Sequence, residues 1–281
     1  MAVSPGRVCP PKSLLRLAGR AIGDYAMIRP GDRVLVGVSG GKDSLSLLHL
    51  LLHLATYAPV RFEVGALTVD PQVEGFDPST LKPYMAALGV PYAYESQPIR
   101  EQAQRHMGNP SFCAFCARMK RGVMYRVARE RGYTALALAQ HLDDLAESFL
   151  MSAFHEGRLQ TMKAHYRVAG GDLRVIRPLV YVRERQLADF ARSAGLPVVP
   201  DSCPACFRAP TEREHAKALL AREEAAHPRL FGNLLAALRP LIGQGAEAAA
   251  GACFPNASSG RRGPDPEATP PEAEAPRCRP E

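Results

Sequence analysis

Two apolar rhythms alternate along the chain. Short continuous apolar runs, bounded by Gly, Pro or acidic positions, are separated by longer segments whose apolar residues return every three or four positions. "RVLVGV" (33–38), "RFEVGALTVD" (61–70), "YTALALAQ" (133–140) and "LRVIRPL" (173–179) are of the first kind and predict buried strands. "VPYAYES" (90–96) alternates and predicts a fifth. Helices are predicted over 43–57, 79–89 (closed by Gly89), 114–131, 143–156 and 183–194, with 211–239 also helical. Strands alternating with helices predict an α/β fold, a parallel twisted sheet with helices on both faces. Ligands of such sheets bind beyond the carboxyl ends of the strands, so the loops after 38, 70 and 140 should hold the site. From about 245 to Glu281, Ala, Gly, Pro and charge replace the periodicity, and this tail is expected to be disordered. The predicted organisation is an N-terminal helical extension (1–30), a main domain (31–240) and the tail (245–281).

Composition changes this picture little. The 281 residues, 46% of them hydrophobic, suffice for one large domain or two small ones. A net charge of +7 is compatible with a polyanionic partner without requiring one. No apolar run approaches the length of a membrane span. Arg7, Lys12, Arg16 and Arg20 precede any acidic residue, which resembles a transit peptide, but "KSLLRLAGRAIGDY" reads better as an amphipathic helix packing Leu14, Leu15, Leu17, Ala21 and Ile22.

Candidate chemistry starts at the end of the first strand. Walker A requires G-x-x-x-x-G-K-[ST]; here Gly37 to Asp43 is one residue short and ends in an acid, and the dinucleotide fingerprint also fails. What remains is Ser39-Gly40-Gly41-Lys42-Asp43-Ser44. The glycines let backbone approach an anion, the helix start points N–H groups at it, and Lys42 adds positive charge. Asp43 would repel a phosphate unless a cation lay between them, which implies magnesium.

A second polar group, "ALAQHLDDLAES" (137–148), sets His141, Asp143 and Asp144 just past a buried strand, where a helix begins. The two acids read either as helix caps or as a second magnesium- or phosphate-side group. Seven cysteines include two C-x-x-C pairs, Cys113/Cys116 and Cys203/Cys206, while Cys9, Cys253 and Cys278 lie near the ends. From spacing alone the pairs are compatible with a zinc site, an iron–sulfur cluster or a redox dithiol; the 86 residues between them exceed any zinc ribbon.

"SGGKDS" after a hydrophobic strand resembles the signature loop of the PP-loop family, the N-type ATP pyrophosphatases, which cut ATP between its α and β phosphates and hand AMP to a substrate oxygen. With "LAGRAIGDYAMIRPGDRVLVGVSGGKDS", the C-x-x-C followed by "ARMKRG", the "IRPL" strand and the late C-P-A-C, residues 13 to 220 resemble the tRNA-cytidine 2-sulfurtransferase group. This resemblance implies a Rossmann-like fold, ATP as co-substrate bound by Ser39, Gly40, Gly41, Lys42, Asp43, Ser44, Asp70 and His141, and magnesium on Asp43. It implies catalytic roles for Asp43, Asp143, Asp144 and Lys120, the last stabilising negative charge. The family's pattern before the paired acids carries a histidine where this chain has Gln140, so roles transfer to the acids more directly than to His141. Three cysteines would hold a [4Fe–4S] cluster with one iron open for sulfur: Cys113, Cys116 and Cys206, with Cys203 in reserve. The implied substrate is tRNA, the sulfur donor a partner such as a cysteine desulfurase, the location cytoplasmic, and a homodimer would suit the family.

The expected reaction is adenylation of a pyrimidine 2-carbonyl and replacement of its oxygen by sulfur. The related uridine-34 thiolases carry extra terminal zinc-finger cysteines that this chain lacks, which points to cytidine 32. Thiolation of another base, uridine 34 or 54, is the alternative within the group; amidation of a small molecule, or a non-catalytic RNA-binding scaffold, would leave the cysteines to structural zinc. Two basic stretches are candidates for the tRNA backbone: Arg118, Lys120, Arg121, Arg126, Arg129 and Arg131 around Tyr125, and Arg174, Arg177, Arg183 and Arg185.

Overall fold

The computed structural model describes residues 6–99, 101–102, 112–200 and 211–243, with backbone alone for 112–114. Cys203, Cys206 and the tail from 245 lie outside the described residues, as does the Cys113 side chain.

Six strands form one sheet in the order β3-β2-β1-β4-β6-β5. They are β1 (Arg33–Gly37), β2 (Glu63–Asp70), β3 (Tyr92–Ser96), β4 (Ala135–Ala137), β5 (His165–Arg167) and β6 (Arg174–Ile176). The first four and β6 are parallel, with Val34 opposite both Val64 and Ala135. Burial on both faces explains their uninterrupted apolar runs; Val34, Leu35 and Val36 are fully buried. β5 pairs antiparallel with β6 at the edge and departs from the all-parallel prediction. Its "HYR" has no strand pattern of its own and is extended because β6 offers it a ladder.

The helices are α1 (Lys12–Asp24), α2 (Lys42–Tyr57), α3 (Leu81–Leu88), α4 (Phe112–Glu130), α5 (Leu142–Met151), α6 (Glu184–Ser193), α7 (Glu212–Ala226) and α8 (Leu230–Gly243). A π-turn, Ser152–Glu156, extends α5. α3 stops at Gly89, whose φ of +66° gives the left-handed cap that the sequence predicted. The predicted helix over 211–239 is two helices, interrupted at His227 and Pro228, because proline supplies no N–H and restricts the residue before it.

Two apolar layers cover the sheet. One contains α1, α2, α3 and α6 against Val34, Val36 and Ala66; the N-terminal helix joins it through Leu14, Ala18, Ala21 and Ile22. The other packs α4, through Val123, Val127 and Ala128, onto Leu35, Leu67 and Leu136. β1 lies between β2 and β4, so the connections leaving β1 and β4 diverge to opposite neighbours and open a crevice at their carboxyl ends. α4 links β3 to the parallel strand β4, so its N-terminal turns, which carry Cys113 and Cys116, lie at that same edge. No helix among the described residues is long and apolar enough to cross a membrane.

Candidate active site

The turn after β1 folds on its own serines, with Gly41 N donating to Ser39 Oγ (3.4 Å). Ser44 Oγ donates to the Gly41 carbonyl (2.9 Å) and accepts from Ser39 N (3.2 Å), folding the turn on its own hydroxyl. No side chain among the described residues caps α2 at Gly41, which leaves the amides of its first turn without a side-chain acceptor. Gly40 has φ +93°, and a Cβ there would fall 2.8 Å from Val199 Cγ2. Its carbonyl accepts from Val199 N (3.0 Å), which ties the turn to the segment leading into the late cysteines.

Asp43 and Lys42 pair with each other in the first turn of α2. Asp43 Oδ1 is buried without a hydrogen-bond partner among the described residues, and Oδ2 meets Lys42 Nζ at 3.1 Å. Burial raises the Asp43 carboxyl above its ordinary value, against the pull of His141 and Lys42. Burial works against the Lys42 ammonium too, but Glu184 and Asp43 outweigh it and hold Lys42 above the usual lysine range.

The loop after β4 brings the second group to this point. His141 Nε2 stands 3.8 Å from Asp43 Oδ2 and 3.5 Å from Asp144 Oδ2. His141 is also the N-cap of α5: its Nδ1 accepts from Asp144 N (3.4 Å), and the Asp144 carboxylate accepts from His141 N (3.0 Å). Asp143 is committed elsewhere. Its Oδ1 accepts from Arg183 Nε (3.1 Å) and its Oδ2 from Glu184 N (2.7 Å), so this carboxylate ties the starts of α5 and α6 together. Both acids thus make helix-end contacts, Asp144 at the start of α5 and Asp143 at the start of α6.

Four participants have no motif. Glu184 accepts from Lys42 (3.0 Å) and from Lys217 on α7 (2.6 Å), and these two lysines outweigh its burial to hold it down at about 2. Arg213 Nε lies 3.3 Å from Glu147, whose burial pushes it up to about 7 despite that partner. The signal for Glu147 was its helical spacing from the acidic pair; Glu184, Arg213 and Lys217 offered only charge on a helix.

Asp70 ends β2 at the same edge, but its carboxylate accepts from Tyr94 (2.8 Å) and from Gln72 N (2.9 Å) and faces β3. Cys116 is half-buried beside Phe115 and Met119, in the layer under α4. Lys120, one turn on, places Nζ 5.8 Å from the Phe76 ring in the loop after β2. The arginines of the first basic stretch are exposed, with Lys120 and Tyr125 half-buried among them, although Arg126 pairs with Glu95 (2.6 Å) and Arg129 with Asp172 (2.6 Å). The second stretch is no surface patch. Arg174 and Arg177 are each 5% exposed, Arg174 pairing with buried Asp32 and donating to the Met27 carbonyl, and Arg183 is locked to Asp143 and Glu224; Arg185 is the exposed member.

The chain is similar to known proteins. A family model described as a PP-loop domain matches residues 16–210. A tRNA-cytidine(32) 2-sulfurtransferase of Geobacter sulfurreducens is 42% identical over 231 residues, 81% of this chain and 89% of that protein. One from Syntrophotalea carbinolica is 40% identical over 231 residues, 81% of this chain and 88% of that protein. The U34-tRNA thiolase NcsA from Methanococcus maripaludis, solved with its [4Fe–4S] cluster, superposes with a TM-score of 0.68 at 22% identity, over 84% of this chain and 83% of that one, and so shares the fold. A switch-point crevice bearing the Ser39–Ser44 turn, and this identity over four fifths of the sequence, agree: the chain belongs to the PP-loop family, in the group of the tRNA-cytidine(32) 2-sulfurtransferases.

Proposed function

We propose that the protein is an ATP-dependent tRNA thiolase that converts cytidine 32 to 2-thiocytidine, as its relatives' names state for them. The observation that carries this reading is the buried, unpartnered Oδ1 of Asp43 beside the open N-terminus of α2. An orphaned carboxylate oxygen at an anion site fits a divalent cation held against phosphate, with Asp144 and His141 alongside. A magnesium ion there would offset the charge of the phosphates. Ser39 to Ser44 would cradle the pyrophosphate portion of ATP and Lys42 would neutralise it. The cytidine 2-oxygen attacks the α-phosphorus and the bond to the β-phosphate breaks, so pyrophosphate leaves. The oxygen is then carried out as AMP when sulfur takes its place on C2.

The donor set on α4 fits a cluster: two soft thiol residues three apart, within one helical turn, at the edge where the nucleotide would lie. Cys113 and Cys116 would hold it, with Cys206 as third ligand. When bound, a [4Fe–4S] cluster with an open iron supplies the sulfur-carrying site. Lys120 would balance negative charge near the reacting base. The sulfur would come from a donor such as a cysteine desulfurase persulfide.

The test is iron, zinc and acid-labile sulfide content of protein purified without oxygen, together with pyrophosphate release and thiolated nucleoside formed on tRNA. Stoichiometric cluster iron and sulfide, and thiolated cytidine, are expected. Cys113→Ala should still bind ATP but yield no thiolated product, and Asp43→Ala should release no pyrophosphate. Zinc without sulfide would overturn the reading and favour an amidating enzyme.

A further inference from the structure

Gln140 stands three residues after β4, between the phosphate turn and the cysteine-bearing helix. On one side His141 reaches toward Asp43. On the other is Arg177, which donates from Nε to Gln140 Oε1 (2.8 Å) and from Nη1 to the Lys163 carbonyl (2.6 Å). Arg177 is itself fixed. It is 5% exposed, its guanidinium lies 5.5 Å from the centre of the Tyr166 ring, and the Tyr166 hydroxyl meets that of Tyr125 on α4 at 3.1 Å.

A guanidinium has donors only. The Gln140 carboxamide can therefore take one orientation, with its oxygen toward Arg177; the flipped form would oppose donor to donor. Its NH2 group is consequently aimed away from Arg177, and it finds no acceptor among the described residues. The chain thus presents a half-buried, orientation-locked, donor-only group at the carboxyl edge of the sheet, beside the residues that would bind ATP.

We infer that Gln140 is the residue that distinguishes the pyrimidine, donating from its NH2 group to N3 of cytosine. Cytosine N3 is an acceptor, whereas uracil carries N3–H, so the same locked amide pairs with one base and opposes a hydrogen to the other. Donation to N3 also draws electron density from the adjacent C2, the carbon that sulfur must attack. Arg177 is the positioning residue. This assignment rests on the thiolase reading above.

The experiment compares wild type, Gln140→Glu, Gln140→His and Gln140→Met as anaerobic holoenzymes, on two tRNAs identical except for C or U at the modified position. Thiolated nucleosides are quantified by mass spectrometry and ATP affinity is measured in parallel. Gln140→Glu keeps an acceptor for Arg177 and removes the outward donor. The C-over-U preference in kcat/KM is expected to fall about tenfold to a hundredfold, as for a mispaired buried polar group. Gln140→Met should lower the preference similarly. Gln140→His, whose neutral ring accepts on one nitrogen and donates from the other, should keep it within a few fold, and ATP affinity should be unchanged throughout. A wild-type C-over-U ratio in a folded Gln140→Glu or Gln140→Met enzyme overturns the assignment. Wild type that thiolates neither tRNA and releases no pyrophosphate overturns the thiolase reading itself, and this inference with it.

Discussion

Gly40→Ala perturbs the phosphate turn in two separable ways. The backbone sits at φ +93°, where a side chain strains the main chain by about 1–2 kcal/mol. The new Cβ would also fall 2.8 and 2.9 Å from Val199 Cγ2 and Cβ, in contact with buried atoms that cannot simply swing aside. Overpacking of that kind costs about 1–3 kcal/mol. The sum, about 2–5 kcal/mol, should lower Tm by roughly 5–15 °C in a chain of this size. The assay is urea or thermal unfolding of wild type, Gly40→Ala, Val199→Ala and the double variant, with ATP affinity alongside. Val199→Ala alone should cost about 1 kcal/mol, having deleted two buried methyl groups next to a turn. In the Gly40→Ala background it should cost less than it does alone, or restore stability, because it removes the 2.8 Å approach to Cγ2 while leaving the 2.9 Å approach to Cβ and the φ strain. Additive losses would refute the steric half of the reasoning, and a Gly40→Ala protein within about 0.5 kcal/mol of wild type would refute both halves. ATP affinity should fall in both Gly40→Ala variants, since the amides at Gly41 and beyond are placed by this turn.

Asp43→Asn should abolish pyrophosphate release yet raise the stability of nucleotide-free protein at neutral pH. Burial raises the Asp43 carboxyl, so ionisation destabilises the fold as pH climbs above the unfolded-state value, and Asn removes that cost; urea unfolding at pH 7.5 without magnesium checks it. Glu147, raised from 4.5 to about 7, has the same sign: stability should decline between about pH 4.5 and 7, and Glu147→Gln should flatten that decline while matching wild type near pH 4.5. Arg174→Ala should cost about 3–5 kcal/mol by stranding buried Asp32, a loss seen in unfolding and not as a reduced salt dependence of tRNA binding.

The strands were legible because burial on both faces leaves an unbroken apolar run, and α2 because a leucine-rich segment follows two glycines. β5 was not, since "HYR" owes its conformation to hydrogen bonds from β6, which no local pattern records. The break in the C-terminal helix was legible and overridden: Pro228 stands in the sequence, but the helical pattern resumes on both sides of it.

The site divides along the same line. The shape of the Ser39 to Ser44 turn and of the His141–Asp144 cap could be read because the contacts that form them lie within six residues. Glu184 and Lys217 could not, because Glu184 reaches Lys42 across 142 residues and Lys217 reaches Glu184 across 33, by packing of α6 on α2 and of α7 on α5. Charge counting fails for the same reason. Arg174, Arg177 and Arg185 look alike in the sequence, yet one neutralises Asp32 beneath the sheet, one orients Gln140 at the mouth of the crevice, and one lies in solvent. What separates them is the acceptor that each guanidinium meets, and in the case of Arg177 that acceptor turns an apparent departure from the family pattern into a group with a single available donor direction.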